Sequence, residues 1–381
     1  MWLFGFSTTN PRGLWMLGAI VMVVAVTMVL RWVGEYMEKQ AVRREHLAEM
    51  ERQHRYRKKK AMMRMWSSGG GVRTYSLDEL KLATRDFRIR IGVGATSYVY
   101  LAELGDGKFG AVKRVMDDRG GSRKIFLDEV SVLLRISHPN LVALLGFCFE
   151  KGEQLLLLEY VNKSLFDRMH TAAGQSAGGI LSWSNRVNIA LDIARALDYL
   201  HSQADPPIIH RDVKSSNVLL IDNDHAKLAD FGLCKLGCDM QPPDHRRRPS
   251  TPIKGSVGYV DANYLNTGLV SPKSDVYSFG VLLLELITGL KAVQGSFTLP
   301  EWTADARGAL NADDGGEALR KLLDPSLKGS ADWEQVRAMV HVANLALLEN
   351  YEARPEMCHV VDMIVSVFEH DESMPQPYKH V

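Results

Sequence analysis

Cysteine is scarce in this chain, and the few cysteines follow no ligand pattern. The 381 residues include only Cys148, Cys234, Cys238 and Cys358. The two that are four residues apart have no second pair to complete a zinc site, so we expect reduced thiols in a cytosolic setting. The chain also lacks an excess of either sign of charge. The formal net charge is +1, which gives no general attraction to nucleic acid.

Long apolar runs are absent with one exception near the N-terminus. Residues 13–30 carry no charged side chain and are mostly Leu, Val, Met, Ala and Ile. A helix over this run would span roughly 27 Å, close to the thickness of a bilayer core. We therefore predict a transmembrane helix over residues 13–33, with Trp15 and Trp32 near the two interfaces. A buried soluble helix and a cleaved signal peptide are the alternatives.

Basic residues are distributed unevenly about that run. Eleven lysines and arginines lie between residues 31 and 64, against Arg12 alone before it. This bias predicts residues 1–12 outside and the long C-terminal part in the cytoplasm, as in a single-pass plasma-membrane protein. Residues 34–74 would be a basic juxtamembrane stalk that ends in a Gly/Ser hinge. The basic cluster at residues 55–64 is either a contact for anionic membrane lipids or a solvated helix.

The most informative stretch is residues 208–232, which contain His-Arg-Asp, Asn and Asp-Phe-Gly in that order. Short apolar runs at residues 218–221 and 226–229 flank a polar turn at residues 222–224 and predict a hairpin. Its rim would bring carboxylate, amide and amine groups into one small volume. The side chains concerned are Asp212, Lys214, Asn217 and Asp230. Such groups can orient a hydroxyl and bind a hard divalent cation.

A glycine loop and a lysine precede that stretch. Gly92 and Gly94 lie between two strand-like runs, where the missing Cβ lets the backbone approach a phosphate group. Lys113 follows in an Ala-Val-Lys sequence. Asp128 and Glu129 lie on a segment with helical spacing and are the two candidate carboxylate partners of Lys113.

Together these motifs resemble those of eukaryotic protein kinases. The segment at residues 75–87 is similar to the one before the kinase domain in plant receptor-like kinases, whose animal relatives are the Pelle and interleukin-1-receptor-associated kinases. The resemblance implies an α+β, two-lobed kinase fold behind the N-terminal transmembrane helix. The small antiparallel β-sheet lobe would cover residues 75–161 and the larger helical lobe residues 162–369, with residues 370–381 as a tail.

The resemblance also implies roles for single residues. Asp212 would act on the acceptor hydroxyl and Lys214 would contact the transferred phosphate. Lys113, paired with Glu129, would hold the phosphates of ATP. The implied metal ligands are Asn217 and Asp230. The implied nucleotide contacts are Ile91, Gly92, Gly94, Val99, Ala111, Lys113, Glu159, Val161 and Leu219. The cofactors would be ATP and Mg²⁺, with Mn²⁺ as a substitute.

The function implied is a membrane-anchored serine/threonine protein kinase in signal transduction, because Lys214 is typical of serine/threonine rather than tyrosine kinases. Its partners would be ATP and protein substrates, with no nucleic acid. About twelve external residues cannot bury a core, so a membrane co-receptor or an upstream kinase is also expected. The alternative is a pseudokinase scaffold. The intact Lys113, Asp212 and Asp230 favour catalysis over that alternative.

Three positions depart from the family pattern. Ser97 replaces the third glycine of the loop, and Thr96 replaces the aromatic residue at its tip. Asn263 stands where the family has a glutamate that pairs with an arginine, here Arg354. If Arg354 is buried, losing that charge is expected to cost several kcal/mol unless another acceptor replaces it.

Regulation is implied by Arg211, directly before Asp212. Family members with this arginine tend to require a phosphorylated activation segment, here residues 233–258, because the phosphate balances clustered basic side chains. The candidate acceptors are Ser250, Thr251 and Ser256. Asp275, in an apolar helical segment, resembles the carboxylate that anchors the backbone of the catalytic loop.

Overall fold

The computed structural model describes Met22, Met28, Met37 and residues 72–368, except residues 95, 117–121, 173–178, 238–252, 310–314 and 328. The chain divides into two compact units, residues 1–65 and residues 66–381. The first unit lies almost wholly outside the described residues. The second contains the folded domain.

The prediction of a transmembrane helix over residues 13–33 is wrong for the described part of the chain. No helix in that part is both long enough and apolar enough to cross a membrane. Only Met22 and Met28 of the predicted span are described at all. The predicted single-pass placement in the plasma membrane is corrected by the same finding. Of the predicted stalk and hinge at residues 34–74, only Met37 and residues 72–74 are described, and Arg73–Thr74 form a short strand.

The small lobe is built on a sheet of six strands among the described residues. They are β1 (Arg73–Thr74), β2 (Arg90–Gly94), β3 (Ser97–Gly105), β4 (Lys108–Val115), β5 (Leu144–Cys148) and β6 (Leu155–Glu159). Their order is β1, β5, β6, β4, β3, β2, and every pair is antiparallel except β1 with β5. Lys113 on β4 lies opposite Val99 and Leu156, so two neighbouring strands fix the backbone that carries it.

A short helix closes one side of this sheet. Helix α1 (Leu77–Ala83) begins with a capping box, in which Ser76 and Glu79 satisfy each other's backbone N–H groups. Its apolar residues Leu77 and Leu80 are buried in one cluster with Val112. Residues ahead of the strands that hold the glycine loop thus complete the core of the small lobe.

Helix α2 (Ser122–Leu133) carries the predicted partner of Lys113. Phe126 and Val130 have no exposed surface, and they lie one turn apart on the same face of the helix. Glu129, between them in sequence, is only 2% exposed. Packing of the apolar face therefore fixes the helix and takes a carboxylate into the interior with it.

The large lobe is mainly helical. Its helices are α3 (Leu165–His170), α4 (Trp183–Asp198), α5 (Ala262–Thr267), α6 (Pro272–Thr288), α7 (Leu299–Trp302), α8 (Ala304–Gly308), α9 (Gly315–Leu322), α10 (Trp333–Ala346) and α11 (Met357–Phe368). Helix α6 packs against α4 and α10. It begins with Pro272, whose missing N–H needs no partner at that position, and ends at Gly289, where φ is +70°.

Short strands shape the face of the large lobe that adjoins the small lobe. They are β7 (Lys163–Ser164), β8 (Ile208–Ile209), β9 (Val218–Leu220), β10 (Ala226–Leu228) and β11 (Lys235–Leu236), and a separate hairpin is formed by β12 (Val293–Gln294) and β13 (Phe297–Thr298). The predicted hairpin is confirmed, because β9 and β10 pair antiparallel. Asn217 directly precedes β9 and Asp230 closely follows β10, so both lie at one end of the hairpin.

The predicted α+β architecture, with a sheet lobe followed by a helical lobe, is confirmed. The predicted boundaries of the lobes, and the tail at residues 370–381, stay predictions. That tail lies outside the described residues.

Candidate active site

Lys113 lies between two carboxylates from distant parts of the chain. Its Nζ donates to Glu129 Oε1 at 2.7 Å and to Asp230 Oδ1 at 2.7 Å. The lysine side chain is 10% exposed and that of Glu129 is 2% exposed, whereas that of Asp230 is 43% exposed. The predicted Lys113–Glu129 pair is confirmed. Asp230, the second partner of the Lys113 amine, is the most exposed of the three side chains.

The surroundings of this triad shift its pKa values. Burial alone would lower the pKa of Lys113, but Glu129 and Asp230 outweigh burial and raise it above the ordinary lysine value. Burial raises the pKa of Glu129, although Lys113 opposes the shift. For Asp230, burial acts upward, yet the charge and hydrogen bond of Lys113 prevail and lower the pKa to about 2. Asp230 is therefore an anion at neutral pH and suits a cation.

Asp212 is the centre of a second cluster. Its carboxylate accepts from Lys214 Nζ at 2.8 Å, from Ser256 Oγ at 2.7 Å and from Asn217 Nδ2 at 3.0 Å. Lys214 Nζ also donates to Ser256 Oγ at 2.8 Å. The side chain of Asp212 is 6% exposed. Every neighbour donates to it, so the carboxylate is held in one orientation and its negative charge is stabilised.

The loop that carries Asp212 is fixed by a buried carboxylate on α6. Asp275 has no exposed surface, and its oxygens accept from the backbone N–H groups of His210 and Arg211, both at 2.8 Å. His201 Nε2 is hydrogen-bonded to the same carboxylate at 2.8 Å. Arg211 has a φ of +67°, which is uncommon for a residue with a side chain. Asp275 thus holds a strained backbone in place, as the sequence predicted.

Two oxygen-bearing side chains at the end of the hairpin could hold a metal ion. Asn217 is 7% exposed and donates through Nδ2 to the carbonyl of Asp212 at 2.8 Å, while Asp230 is anionic and half open. Within the described residues there is no group of three or more His, Cys, Asp and Glu side chains that could enclose a metal. One carboxylate and one amide, completed by phosphate oxygens and water, suit a small hard cation such as Mg²⁺.

The glycine loop is tightly built. Gly92 lies opposite Val99 and Gly94 lies opposite Ser97. A Cβ on Gly94 would come within 2.8 Å of Ser97 Oγ, so the hydroxyl of the replaced third glycine occupies the space beside the second. Ser97 is itself 4% exposed. The departure from the family pattern is accommodated inside the strand pair.

The other predicted nucleotide contacts lie in or beside strands of two sheets. In the sheet of the small lobe they are Ile91 on β2, Val99 on β3, Ala111 on β4, Glu159 at the end of β6 and Val161 just after it, and in the large lobe Leu219 lies on β9. The side chain of Glu159 is turned to the large lobe, where it accepts from Lys227 Nζ at 2.9 Å. A contact between Glu159 and adenine therefore falls to its backbone. The nucleotide roles of all these residues stay predictions.

Arg354 forms an ion pair with a different residue from the glutamate that the family uses. Its guanidinium donates to Asp261 Oδ2 at 2.6 Å and to Asp261 Oδ1 at 2.9 Å. The two side chains are 1% and 3% exposed. Asp261 also caps α5 by accepting from the backbone N–H of Asn263 at 3.0 Å. The acceptor that the sequence required is thus supplied two residues before Asn263.

Most of the activation segment lies outside the described residues, including Ser250 and Thr251. Ser256 is described, and its Oγ is engaged by Asp212 and Lys214. That engagement favours a role for Ser256 in the site over a role as phosphate acceptor. Burial, with the charges of Arg211 and Lys124, lowers the pKa of Lys254, so basic groups gather near this segment.

The sequence did not reveal two functional contacts. One is the bridge from Ser256 to Asp212, which joins residues 44 apart in the chain. The other is Asp261 as the partner of Arg354, 93 residues away. A signal for Asp261 existed, because Asp directly before a short helical run is a preferred N-cap. No local pattern indicates the bridge from Ser256.

Comparison with known proteins agrees with this geometry. The protein kinase domain model matches residues 86–315, and the chain belongs to the protein kinase family. Within that family its relatives are plant receptor-like kinases, which confirms the resemblance drawn from the motifs. A protein kinase domain uses ATP and a divalent metal ion to modify protein substrates.

Three relatives from Arabidopsis thaliana illustrate the similarity. Calcium/calmodulin-regulated receptor-like kinase 1 is 38% identical over 301 residues, which cover 79% of this chain and 64% of that protein. PTI1-like tyrosine-protein kinase 2 is 39% identical over 299 residues, 75% of this chain and 78% of that protein. Probable serine/threonine-protein kinase PBL21 is 38% identical over 301 residues, 77% and 76% respectively. The chain thus spans just under two thirds of the first relative.

Proposed function

We propose that this chain is an active protein serine/threonine kinase, which transfers the γ-phosphate of ATP to protein hydroxyls. The observation that carries the proposal is that two complete clusters are present. Lys113 is paired with Glu129 at 2.7 Å, and Asp212 is held by Lys214 and Asn217. The first can hold the phosphates of ATP and the second can direct an acceptor hydroxyl, so the parts for in-line transfer are in place.

The proposed reaction starts when an acceptor hydroxyl reaches the carboxylate of Asp212. The oxygen of the acceptor hydroxyl forms a bond to the γ-phosphorus. The bond from that phosphorus to the β,γ-bridging oxygen breaks, and ADP leaves. The hydroxyl proton passes to Asp212. Lys214 Nζ, 2.8 Å from that carboxylate, is near enough to stabilise charge on the transferred phosphoryl group. Lys113 exchanges its contact with Asp230 for the α- and β-phosphates.

Asn217 and Asp230 would hold Mg²⁺, with Mn²⁺ as a substitute. When bound, this cation neutralises negative charge on the phosphate oxygens. The low pKa of Asp230 supports the assignment, since the carboxylate needs no deprotonation before it binds a cation. The exposed side of Asp230 leaves room for phosphate oxygens to complete the coordination shell.

Specificity for serine and threonine is supported by the position of Lys214. Its Nζ is 2.8 Å from both Asp212 Oδ2 and Ser256 Oγ, which ties the catalytic carboxylate to the activation segment. Among the relatives, one is named a tyrosine-protein kinase and another a serine/threonine-protein kinase. The identity of the phosphorylated residue in the product is therefore part of the test.

The biological role that we propose is signal transduction under the control of an upstream kinase. Lys254 lies within the activation segment, and the charge of Arg211 helps to lower its pKa, so both side chains would pair with a phosphate on that segment. The predicted membrane co-receptor stays a prediction. Binding of anionic lipids by residues 55–64 stays a prediction outside the described residues. A calmodulin-binding relative exists, but no described residue of this chain supports that partner.

A pseudokinase is the alternative function. The departures at Ser97, Ala262 and Asn263 leave this alternative open in the sequence. In the structure the Ser97 hydroxyl is packed beside Gly94, and Asp261 supplies the counter-ion for Arg354. The departures at Ser97 and Asn263 are thereby compensated, which weakens the alternative.

The test is a phosphotransfer assay with the purified full-length chain, Mg²⁺, ATP and a general protein acceptor, beside Asp212→Asn. We expect the variant to be at least about 100-fold slower, since general-base catalysis contributes that much or more. Peptide mass analysis should find phosphoserine or phosphothreonine. Equal rates for the two proteins would contradict kinase activity, and phosphotyrosine alone would contradict the proposed specificity.

A further inference from the structure

Ser97, which stands where the family has its third loop glycine, carries a hydroxyl that bonds to no other described residue. The residue begins β3 and is 4% exposed. The polar side-chain atoms of the described residues that are both fully enclosed and unbonded do not include Ser97 Oγ, so this oxygen keeps access to the space outside the sheet. The hydroxyl is thus an unused donor that a small ligand can reach.

Strand register places this hydroxyl on the face of the sheet that carries Lys113. Residues two apart on a strand point to the same face, and so do residues that pair directly across an antiparallel ladder. Val99 pairs with Lys113, and Ser97 is two residues before Val99. Tyr98, between them, lies on the opposite face, where the guanidinium of Arg90 is 5.4 Å from its ring centroid.

Ser97 and Lys113 are therefore diagonal neighbours across β3 and β4. Such neighbours are typically about 7 to 8 Å apart, and the chain of phosphates in a nucleotide is long enough to run between them. Lys113 supplies a positive charge and Ser97 a neutral donor. A phosphate oxygen can accept from both kinds of group, and its charge strengthens the hydrogen bond from a hydroxyl.

The hydroxyl is held in place by its surroundings. Gly94 pairs with Ser97, and a Cβ on Gly94 would come within 2.8 Å of Ser97 Oγ, so the glycine leaves the room that the hydroxyl occupies. The backbone N–H of Met116 donates to the carbonyl of Thr96 at 2.9 Å, which ties the turn before Ser97 to the end of β4. A donor positioned in advance needs little reorganisation when a ligand binds.

We propose that Ser97 is a phosphate-binding residue: its hydroxyl donates a hydrogen bond to a phosphate oxygen of the nucleotide that Lys113 holds. The proposal depends on the proposed kinase function, because it requires a nucleotide in this site. A glycine at this position offers only its backbone to a phosphate group. The serine thus adds a contact that the family pattern does not supply, and the contact distinguishes ATP from adenosine.

The test measures the binding of Mg²⁺–ATP and of adenosine to the full-length chain by calorimetry, in the wild type, in Ser97→Ala and in Ser131→Ala as the matched control. Ser131, on α2, is also a buried serine of the small lobe, but its hydroxyl donates to the carbonyl of Asp128 at 2.8 Å. We expect the Kd for Mg²⁺–ATP to rise about tenfold in Ser97→Ala, because a hydrogen bond to a charged group is lost. The Kd for adenosine should stay within about twofold of the wild-type value, and the control should match the wild type for both ligands.

Thermal unfolding distinguishes a ligand contact from a structural role. Without nucleotide, Ser97→Ala should unfold at the wild-type temperature, because its hydroxyl bonds to no described residue, whereas Ser131→Ala should unfold earlier. The rise in melting temperature at a fixed concentration of Mg²⁺–ATP should be smaller in Ser97→Ala, since weaker binding stabilises less. Earlier unfolding of Ser97→Ala with unchanged binding of ATP overturns the proposal. An equal loss of affinity for ATP and adenosine overturns it too, because that result indicates a displaced strand.

This proposal and the proposed function fail in different ways. Equal affinity for ATP in the wild type and Ser97→Ala overturns the role of Ser97, while the comparison with Asp212→Asn still decides kinase activity. A tenfold loss of ATP affinity in a chain that transfers no phosphate supports Ser97 and contradicts the kinase function. If the wild-type chain binds no Mg²⁺–ATP, both proposals are overturned.

Discussion

Each lobe of this kinase domain contains a buried ion pair, and the two pairs relate to the family pattern in different ways. In the small lobe, Lys113 pairs with Glu129, the residue that the motifs indicate. In the large lobe, Arg354 pairs with Asp261, and the position that the family uses is held by Asn263. Both pairs are almost inaccessible to solvent.

The difference follows from what each pair must do. Lys113 has to present its amine at the point where phosphates bind, so its partner must hold it from one particular direction. Arg354 has only to be neutralised, so its charge partner can be carried by any nearby backbone position. Asp261 meets that need with two hydrogen bonds, at 2.6 and 2.9 Å, while it also caps α5. A pair that serves structure can exchange partners more readily than a pair that serves chemistry.

The largest expected effect is on activity, from Lys113→Met. Removing a donor aimed at the charged transition state typically costs about 100-fold or more in kcat. Glu129 is then left without its cation, but burial already raises its pKa, so it can take up a proton. Steady-state kinetics with Mg²⁺ and ATP measure the loss. Activity within threefold of the wild type would show that the pair is not functional.

The largest expected effect on stability comes from Asp261→Asn. It leaves the guanidinium of Arg354 buried without a charge partner, which typically costs about 3 to 5 kcal/mol of the free energy of unfolding. Urea unfolding of the variant and the wild type measures the difference. A loss below about 1 kcal/mol would show that Asp261 does not replace the family glutamate.

A third buried pair predicts a smaller, pH-dependent effect. Arg186 donates to Asp324 Oδ2 at 2.7 Å, and the side chain of Asp324 is 16% exposed. Burial acts to raise the pKa of Asp324, but hydrogen bonds from Ser326 and Arg186 outweigh it and lower the pKa. A lowered pKa stabilises the fold above about pH 4, and this stabilisation is lost as the pH falls further.

We therefore expect Asp324→Asn to lower the free energy of unfolding by about 2 kcal/mol at pH 7. The difference in this free energy between the variant and the wild type should become smaller below about pH 4. Thermal unfolding from pH 7 to pH 3 measures it, with Glu352→Gln on the surface as control. A difference in stability that grows as the pH falls would contradict the expectation that ionised Asp324 stabilises the fold.

The smallest expected effect is from Asn263→Glu, which restores the family residue. Because Asp261 already occupies the guanidinium of Arg354, the new carboxylate gains no partner there. We expect the free energy of unfolding to change by less than about 0.5 kcal/mol. A gain in the free energy of unfolding above about 1 kcal/mol would show that Asp261 does not fully replace the family glutamate as the partner of Arg354. In Asp261→Asn, by contrast, the same change should recover part of the lost stability.

Much of the fold was predictable because its signals are local. The short apolar runs at residues 218–221 and 226–229, on either side of a polar turn, indicated the hairpin, and the hairpin brings Asn217 and Asp230 together. Charge asymmetry and an apolar run are weaker signals. They indicated a membrane helix at residues 13–33, yet no described helix meets the requirement for crossing a bilayer.

The site was predictable where a motif carries its own chemistry, and not where the chemistry depends on loop placement. Asp212, Lys113 and Glu129 could be found from the resemblance of their motifs to those of protein kinases, whereas spacing alone left Asp128 as a competing partner of Lys113. Ser256 looked like a phosphate acceptor, but the fold turns its hydroxyl to Asp212 at 2.7 Å. Side-chain distances across segments depend on packing against helices such as α6, and no local pattern encodes them.

The most direct test of the contrast compares Lys113→Met and Asp261→Asn in the same full-length preparation. Phosphotransfer per folded molecule and the free energy of unfolding are measured for both. We predict that Lys113→Met keeps most of the stability and loses at least about 100-fold in phosphotransfer, whereas Asp261→Asn loses stability and keeps most of its phosphotransfer. An equal loss of phosphotransfer in the two variants, or unfolding of Lys113→Met, would contradict the account.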